Sequence, residues 1–123
     1  MPLMSQSELW TGELDAVIAA PRNHRILFEN EAVRVLDSRV VPGETVPLHT
    51  HACPSSNYLV SFSDFVRRDA AGQVLVDSRT ITRPSDGASF WSDAMSPHTL
   101  ENIGASALHV VSVELKHLAR TRG

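Results

Sequence analysis

This sequence predicts an all-β domain with a short N-terminal helical segment, and three observations carry the prediction. After Pro21 the chain becomes a succession of short runs rich in Val, Ile, Leu, Thr and Phe. Between the runs stand turn-forming residues: Asn30-Glu31, Pro42-Gly43, Pro54-Ser55, Ala71-Gly72, Pro84 to Gly87 and Gly104-Ala105. Helical patterning is confined to the beginning of the chain. The parallel alternative would need crossover helices, so the strands are expected to pair antiparallel, in a sandwich or barrel.

The helical expectation rests on "ELWTGELDAVIAA". Ser7 stands where it can cap this stretch, Leu9, Leu14, Val17 and Ile18 recur at roughly helical spacing, and Pro21 stops it. Gly12 interrupts the pattern, so one or two short helical pieces are expected. Strands are expected near "HRILFEN", "AVRVLDSRVV", "VPLHTH", "NYLVSFSDFVRRD", "QVLVDSRTI", "ASFWS", "PHTLENI" and "LHVVSVELK". The organisation is a helical extension over 1–22, one β domain over 23–117 and a tail over 118–123.

The chain has 123 residues, enough for one core, and its 42% hydrophobic and 20% charged content is ordinary for a soluble globular protein. A formal charge of −3 argues against nucleic acid or an anionic membrane as a partner. Arg67-Arg68 and the tail "KHLARTRG" are basic, and both are expected to be solvated surface. Cys53 is the only cysteine, so no internal disulfide can form. The start is no secretory signal and no apolar run reaches membrane-span length, which makes the cytoplasm the expected compartment. No motif for a nucleotide, flavin or nicotinamide is present.

The chemistry concentrates in "GETVPLHTHACPSS". Side chains two apart on a strand share a face, so His49 and His51 can reach one ion at about 2.0–2.2 Å. A lone His-x-His is more often two unremarkable strand residues, but a second segment, "GASFWSDAMSPHTLEN", adds to it. Together the two segments resemble the paired signatures of the cupin superfamily. Gly43, five residues, then His49 and His51 match the first signature. Gly87, His98 and Asn102 fall at the spacing of the second. The resemblance runs from about Val33 to Leu115. The chain departs from it at the first signature's glutamate, which falls on Ser55, and at the second signature's proline and glycine, which fall on Asp93 and Met95.

The resemblance implies a cupin-type double-stranded β-helix, a jelly-roll barrel of six to eight main strands related to the RmlC-like cupins, with its pocket inside. It implies a divalent transition metal (iron, zinc, manganese or nickel) held by His49, His51 and His98, and it implies a homodimer. Three neutral imidazoles leave open positions for water or substrate, which suits a metal-dependent enzyme of oxygenase or isomerase type acting on a small molecule. The missing glutamate supports an alternative, a non-catalytic barrel that binds or senses a small ligand with weak metal or none. Metal retention is expected to weaken as pH falls through about 6.5, because the ligating rings must be neutral.

Ser55, Asn102 and Cys53 are the candidates for the pocket or its surroundings. Asn102 is expected to share the inner face with His98, and Cys53 to be a small buried thiol. His24, in a loop after Pro21, and His117, in the tail, are expected at the surface, and so is Glu114. His109 is read as a structural histidine. Phe62, Phe65, Phe90 and Trp91 are read as core or dimer contacts, one of them lining an apolar pocket.

Overall fold

The computed structural model describes residues 12–119. Ser7 and the first part of the helical stretch lie outside the described residues. The rest of that stretch forms two short pieces, a 3₁₀ turn at Gly12–Leu14 and a single helical turn, α1, at Ala16–Ala19. Gly12 sits at φ 61, a left-handed conformation that suits the start of the turn. Ala16 and Ala20 are buried, and the Thr50 hydroxyl donates to the Leu14 carbonyl, so this segment is tied to the β domain.

The described residues form nine strands: β1 (His24–Glu29), β2 (Val33–Val40), β3 (Thr45–His51), β4 (Ser55–Ser61), β5 (Phe65–Asp69), β6 (Val74–Asp77), β7 (Ser89–Ser92), β8 (Met95–Asn102) and β9 (Leu108–Leu115). Their ladder pairings are antiparallel, as the sequence predicts. The expected run "NYLVSFSDFVRRD" divides into β4 and β5, because the chain changes sheet between them. One sheet has the order β1-β2-β9-β4-β7 and the other β3-β8-β5-β6. Ser78, buried in the 3₁₀ turn after β6, fixes the sheet change: its hydroxyl donates to Asp64 and accepts from the Phe65 amide.

The inner faces of the two sheets meet in a core of Ala20, Val40, Val46, Leu59, Phe62 and Leu108, with Phe65, Leu100 and Val110 packed against it. Both signature glycines take positive φ, 83 at Gly43 and 87 at Gly87, where a side chain would be strained. No helix among the described residues is long and apolar enough to cross a membrane.

Candidate metal centre and its cavity

The histidine pair arises from strand alternation. His49 and His51 leave β3 on its inner face, and His98 is the cross-strand partner of His49 on β8. Val46 also reaches this face although it lies an odd number of residues from His49. A register irregularity between them makes that possible. The rings of His49 and His98 sit 4.3 Å apart between centroids, and those of His51 and His98 5.8 Å.

His24 joins them, and this overturns the surface position expected for it. It is 8% exposed, opens β1, and lies 4.9 Å from His49 and 5.3 Å from His51 between ring centroids. One ring nitrogen from each of His24, His49 and His51 falls within 4.8 Å of the others. Two ligands about 2.1 Å from one ion are at most about 4.2 Å apart, so small ring rotations close this group. The nitrogen of His98 lies outside that closest trio. The signal for His24 in the sequence is slight: it is the first residue of a predicted strand, directly behind the Pro21 turn.

The four rings are oriented in the same way. Nδ1 of His24 meets the Ala20 carbonyl at 3.0 Å, Nδ1 of His49 the Pro47 carbonyl at 2.7 Å, and Nδ1 of His98 the Ser96 carbonyl at 2.7 Å. Nδ1 of His51 meets Glu114 Oε2 at 3.1 Å. A carbonyl or carboxylate oxygen only accepts, so each Nδ1 carries the proton and donates. Nε2 is then the atom left with a lone pair. Burial, reinforced by the neighbouring imidazoles, lowers the ring pKa to about 4 at His24 and about 2 at His49. Burial again dominates at His98, and His51, Arg67 and His24 add to it, bringing its pKa to about 3. These three rings are neutral at physiological pH, as metal ligation requires.

Glu114 is 1% exposed and not at the surface as expected. Burial by itself would raise its pKa, but the hydrogen bond from His51, with the charge and hydrogen bond of Arg34, holds it below the ordinary carboxylate value. Arg34 Nε donates to Glu114 Oε1 at 2.7 Å, and its two terminal nitrogens donate to Asp15 at 2.9 Å each. A chain Asp15–Arg34–Glu114–His51 therefore braces one ring from behind. β9 carries Val111, Val113 and Leu115 on one face and Leu108 and Val110 on the other, so apolar periodicity does not tell which face Glu114 shares.

The remaining candidates are distributed unevenly. Ser55 lines the cavity and is buried, and its hydroxyl donates to Asn57 Oδ1. Asn102 is 1% exposed and its amide holds a turn together: Nδ2 donates to the Val40 and Ser106 carbonyls, and Oδ1 accepts from Ser63 and the Gly104 amide. Cys53 is half-buried; burial and then the Glu114 charge push its thiol pKa up, which keeps it protonated. His109 pairs with Asp37, while its neighbours Leu108 and Val110 line the cavity.

The four histidines line a cavity of about 370 Å³ between the two sheets. Its wall is largely the hydrophobic core itself, including Val46, Leu59, Phe62, Leu100 and Val110, with serine hydroxyls such as Ser38 and Ser112 among them. Phe65 and the half-exposed Phe90 also line it, whereas Trp91 is 52% exposed and its indole N–H donates to Asp93.

Comparison with solved structures places the fold. A cupin domain from Bordetella pertussis superposes with a TM-score of 0.61 at 17% identity, covering 75% of this chain and 90% of that one. An RmlC-like cupin family protein with a double-stranded β-helix fold from Methanocaldococcus jannaschii gives 0.53 at 13% identity, covering 75% and 77%. A protein with a double-stranded β-helix domain from Klebsiella pneumoniae gives 0.51 at 16%, covering 77% of each chain. No family model matches the sequence, and no curated relative does. The chain has the cupin double-stranded β-helix fold, and within it three neighbouring histidines that can hold a metal ion.

Proposed function

We propose that the protein is a metal-dependent enzyme acting on a small molecule, of oxygenase or isomerase type. Its divalent ion is held by His49 and His51, with His98 and His24 completing the set. The observation that supports this most strongly is the shared orientation of the four rings. Each has Nδ1 committed to an acceptor, which leaves Nε2 available beside a substrate-sized cavity. Three of these imidazoles on the ion would leave one open position on a tetrahedral zinc and three on a six-coordinate iron, manganese or nickel. Such an ion would bind or polarise a substrate or O₂ at those positions.

Elemental analysis of protein purified without added metal or chelator tests the reading, beside a His49→Ala/His51→Ala variant and the single variants His24→Ala and His98→Ala. Near-stoichiometric metal in the parent, lost in the double variant, is the expected result, and the single variants identify the remaining ligands. Metal absent from the parent even after soaking with iron, zinc and manganese overturns it. That result would favour the non-catalytic ligand-binding barrel, which Ser55 at the glutamate position supports.

The proposal extends to a homodimer in the cytoplasm. Ile26, Leu27 and Phe28 on the edge strand β1 are 42%, 48% and 55% exposed, so both faces of that strand present apolar side chains. Burial against a second copy would remove them from water. Light scattering should give twice the chain mass, falling to one chain mass in an Ile26→Lys/Phe28→Lys variant.

A further inference from the structure

Arg67 stands apart from the other buried groups. Its Nε is the one buried side-chain nitrogen or oxygen among the described residues that has no hydrogen-bond partner. No carboxylate of the described residues lies within ion-pair distance of its guanidinium, whereas Arg34 has two and Arg39 and Arg68 have one each. Its guanidinium carbon lies 5.6 Å from the centroid of the Phe65 ring. A cation–π contact recovers only part of what this half-buried guanidinium loses at its buried Nε, and burial alone lowers the Arg67 pKa from its ordinary value.

The position of this group gives it a use. Arg67 lies on β5 opposite Leu100 of β8, two residues from His98, and it lines the same cavity as the histidine cluster. We propose that Arg67 anchors the carboxylate of a small, mostly apolar acid that occupies the cavity beside the histidines. This rests on the reading of the cavity as a substrate site and adds the class of molecule it takes. A planar guanidinium matches a carboxylate bidentately. A phosphate dianion fits less well, because Arg67 is the only lysine or arginine among the described residues that line the cavity, and Asp93 at the rim opposes further negative charge. The apolar wall of Val46, Leu59, Phe62, Leu100 and Val110 suits a hydrocarbon or aromatic body.

The test is calorimetric titration of the full chain at pH 7.5 with benzoate and with benzamide, its neutral analogue. It is run after chelation and again after loading with Zn²⁺, on the parent, Arg67→Met and Arg67→Lys. The parent is expected to bind benzoate at least about tenfold tighter than benzamide in both metal states. Arg67→Met loses that preference while keeping its affinity for benzamide, and Arg67→Lys restores part of it. Equal affinity for the two probes in the parent overturns the proposal, as does no benzoate binding at millimolar concentration. A preference confined to the Zn²⁺-loaded protein and untouched in Arg67→Met would assign the anion to the metal and overturn the role of Arg67. The chelated arm needs no metal, so it separates failure of this proposal from failure of the metal centre. Should Arg67→Met not fold, judged by circular dichroism, the parent's two probes and Arg67→Lys still decide.

Discussion

Arg34 and Arg67 approach the histidine cluster from opposite sheets, and they are handled in opposite ways. Arg34, on β2, binds Asp15 with two donors and Glu114 with a third, and Glu114 passes that restraint on to His51. Arg67, on β5, has no such partner among the described residues. Removing one member of a compensated buried charge network is costly, whereas a lone buried charge already weakens the fold. The difference teaches where rigidity is built in and where a ligand is awaited. The histidine end is set in advance by hydrogen bonds to every Nδ1, while the arginine end is completed only by what binds.

The largest way to break the histidine end is acid. His24, His49 and His98 titrate in the folded chain at about 4, 2 and 3 against an ordinary 6.5. The unfolded chain therefore takes up protons that the folded chain refuses, and stability of the chelated protein falls as pH drops below 6.5. Each ring costs about 1.4 kcal/mol per pH unit until it titrates itself. The carboxylates add to this only at lower pH, because Glu114 and Asp37 are held below their ordinary values and lose their contribution as pH passes the folded pKa. Urea midpoints of chelated protein at pH 7.5, 6.5, 5.5 and 4.5 should therefore decline steeply, and a His49→Gln variant should decline less. A flat profile down to pH 4.5 would show that the rings are not held neutral. For the same reason, loss of metal from these three rings is expected to begin well below pH 6.5, lower than ordinary imidazoles would suggest.

Next in size is the brace itself. Glu114→Leu leaves Arg34 and His51 without their shared acceptor, and the unfolding free energy should fall by about 3–5 kcal/mol, as for other broken buried ion pairs. The milder Glu114→Gln should keep the fold and weaken metal affinity about 10–100-fold, because the His51 ring loses its charged acceptor. A loss under about 1 kcal/mol in Glu114→Leu would mean the network holds nothing in place.

The same measurement on Arg67 should change sign. Arg67→Met keeps most of the side-chain volume and removes a half-buried charge that has no anionic partner among the described residues. Stability should rise by about 1 kcal/mol, the behaviour expected where a buried charge is replaced by a packed apolar group. A destabilised Arg67→Met would place Arg67 with Arg34, as a structural cation.

The contrast between the two arginines also marks what can be read from sequence. The strands are legible because short β-prone runs alternate with turn residues, and His49, His51 and His98 because their spacing survives even where Ser55 replaces the glutamate. Three groups are not. His24 is brought into the cluster by the path of β1, which no local pattern encodes. Glu114 sits on a strand that is apolar on both faces, so alternation gives no direction. Arg67 and Arg68 read as a solvated pair, yet strand alternation turns one into the cavity and the other outward, to Glu101.

That neighbouring pair supplies the smallest prediction and a control for the others. Arg68 Nη1 lies 3.0 Å from Glu101 Oε1, and each side chain is 37% exposed. Water screens both partners before and after unfolding, so Arg68→Ala should cost about 0.2–1 kcal/mol and less at high salt. Arg67→Met, one residue away on the same strand, should change stability in the opposite direction and be insensitive to salt. If both substitutions destabilise by similar, salt-dependent amounts, then strand position rather than burial without a partner governs β5, and the case for an anion at Arg67 fails with it.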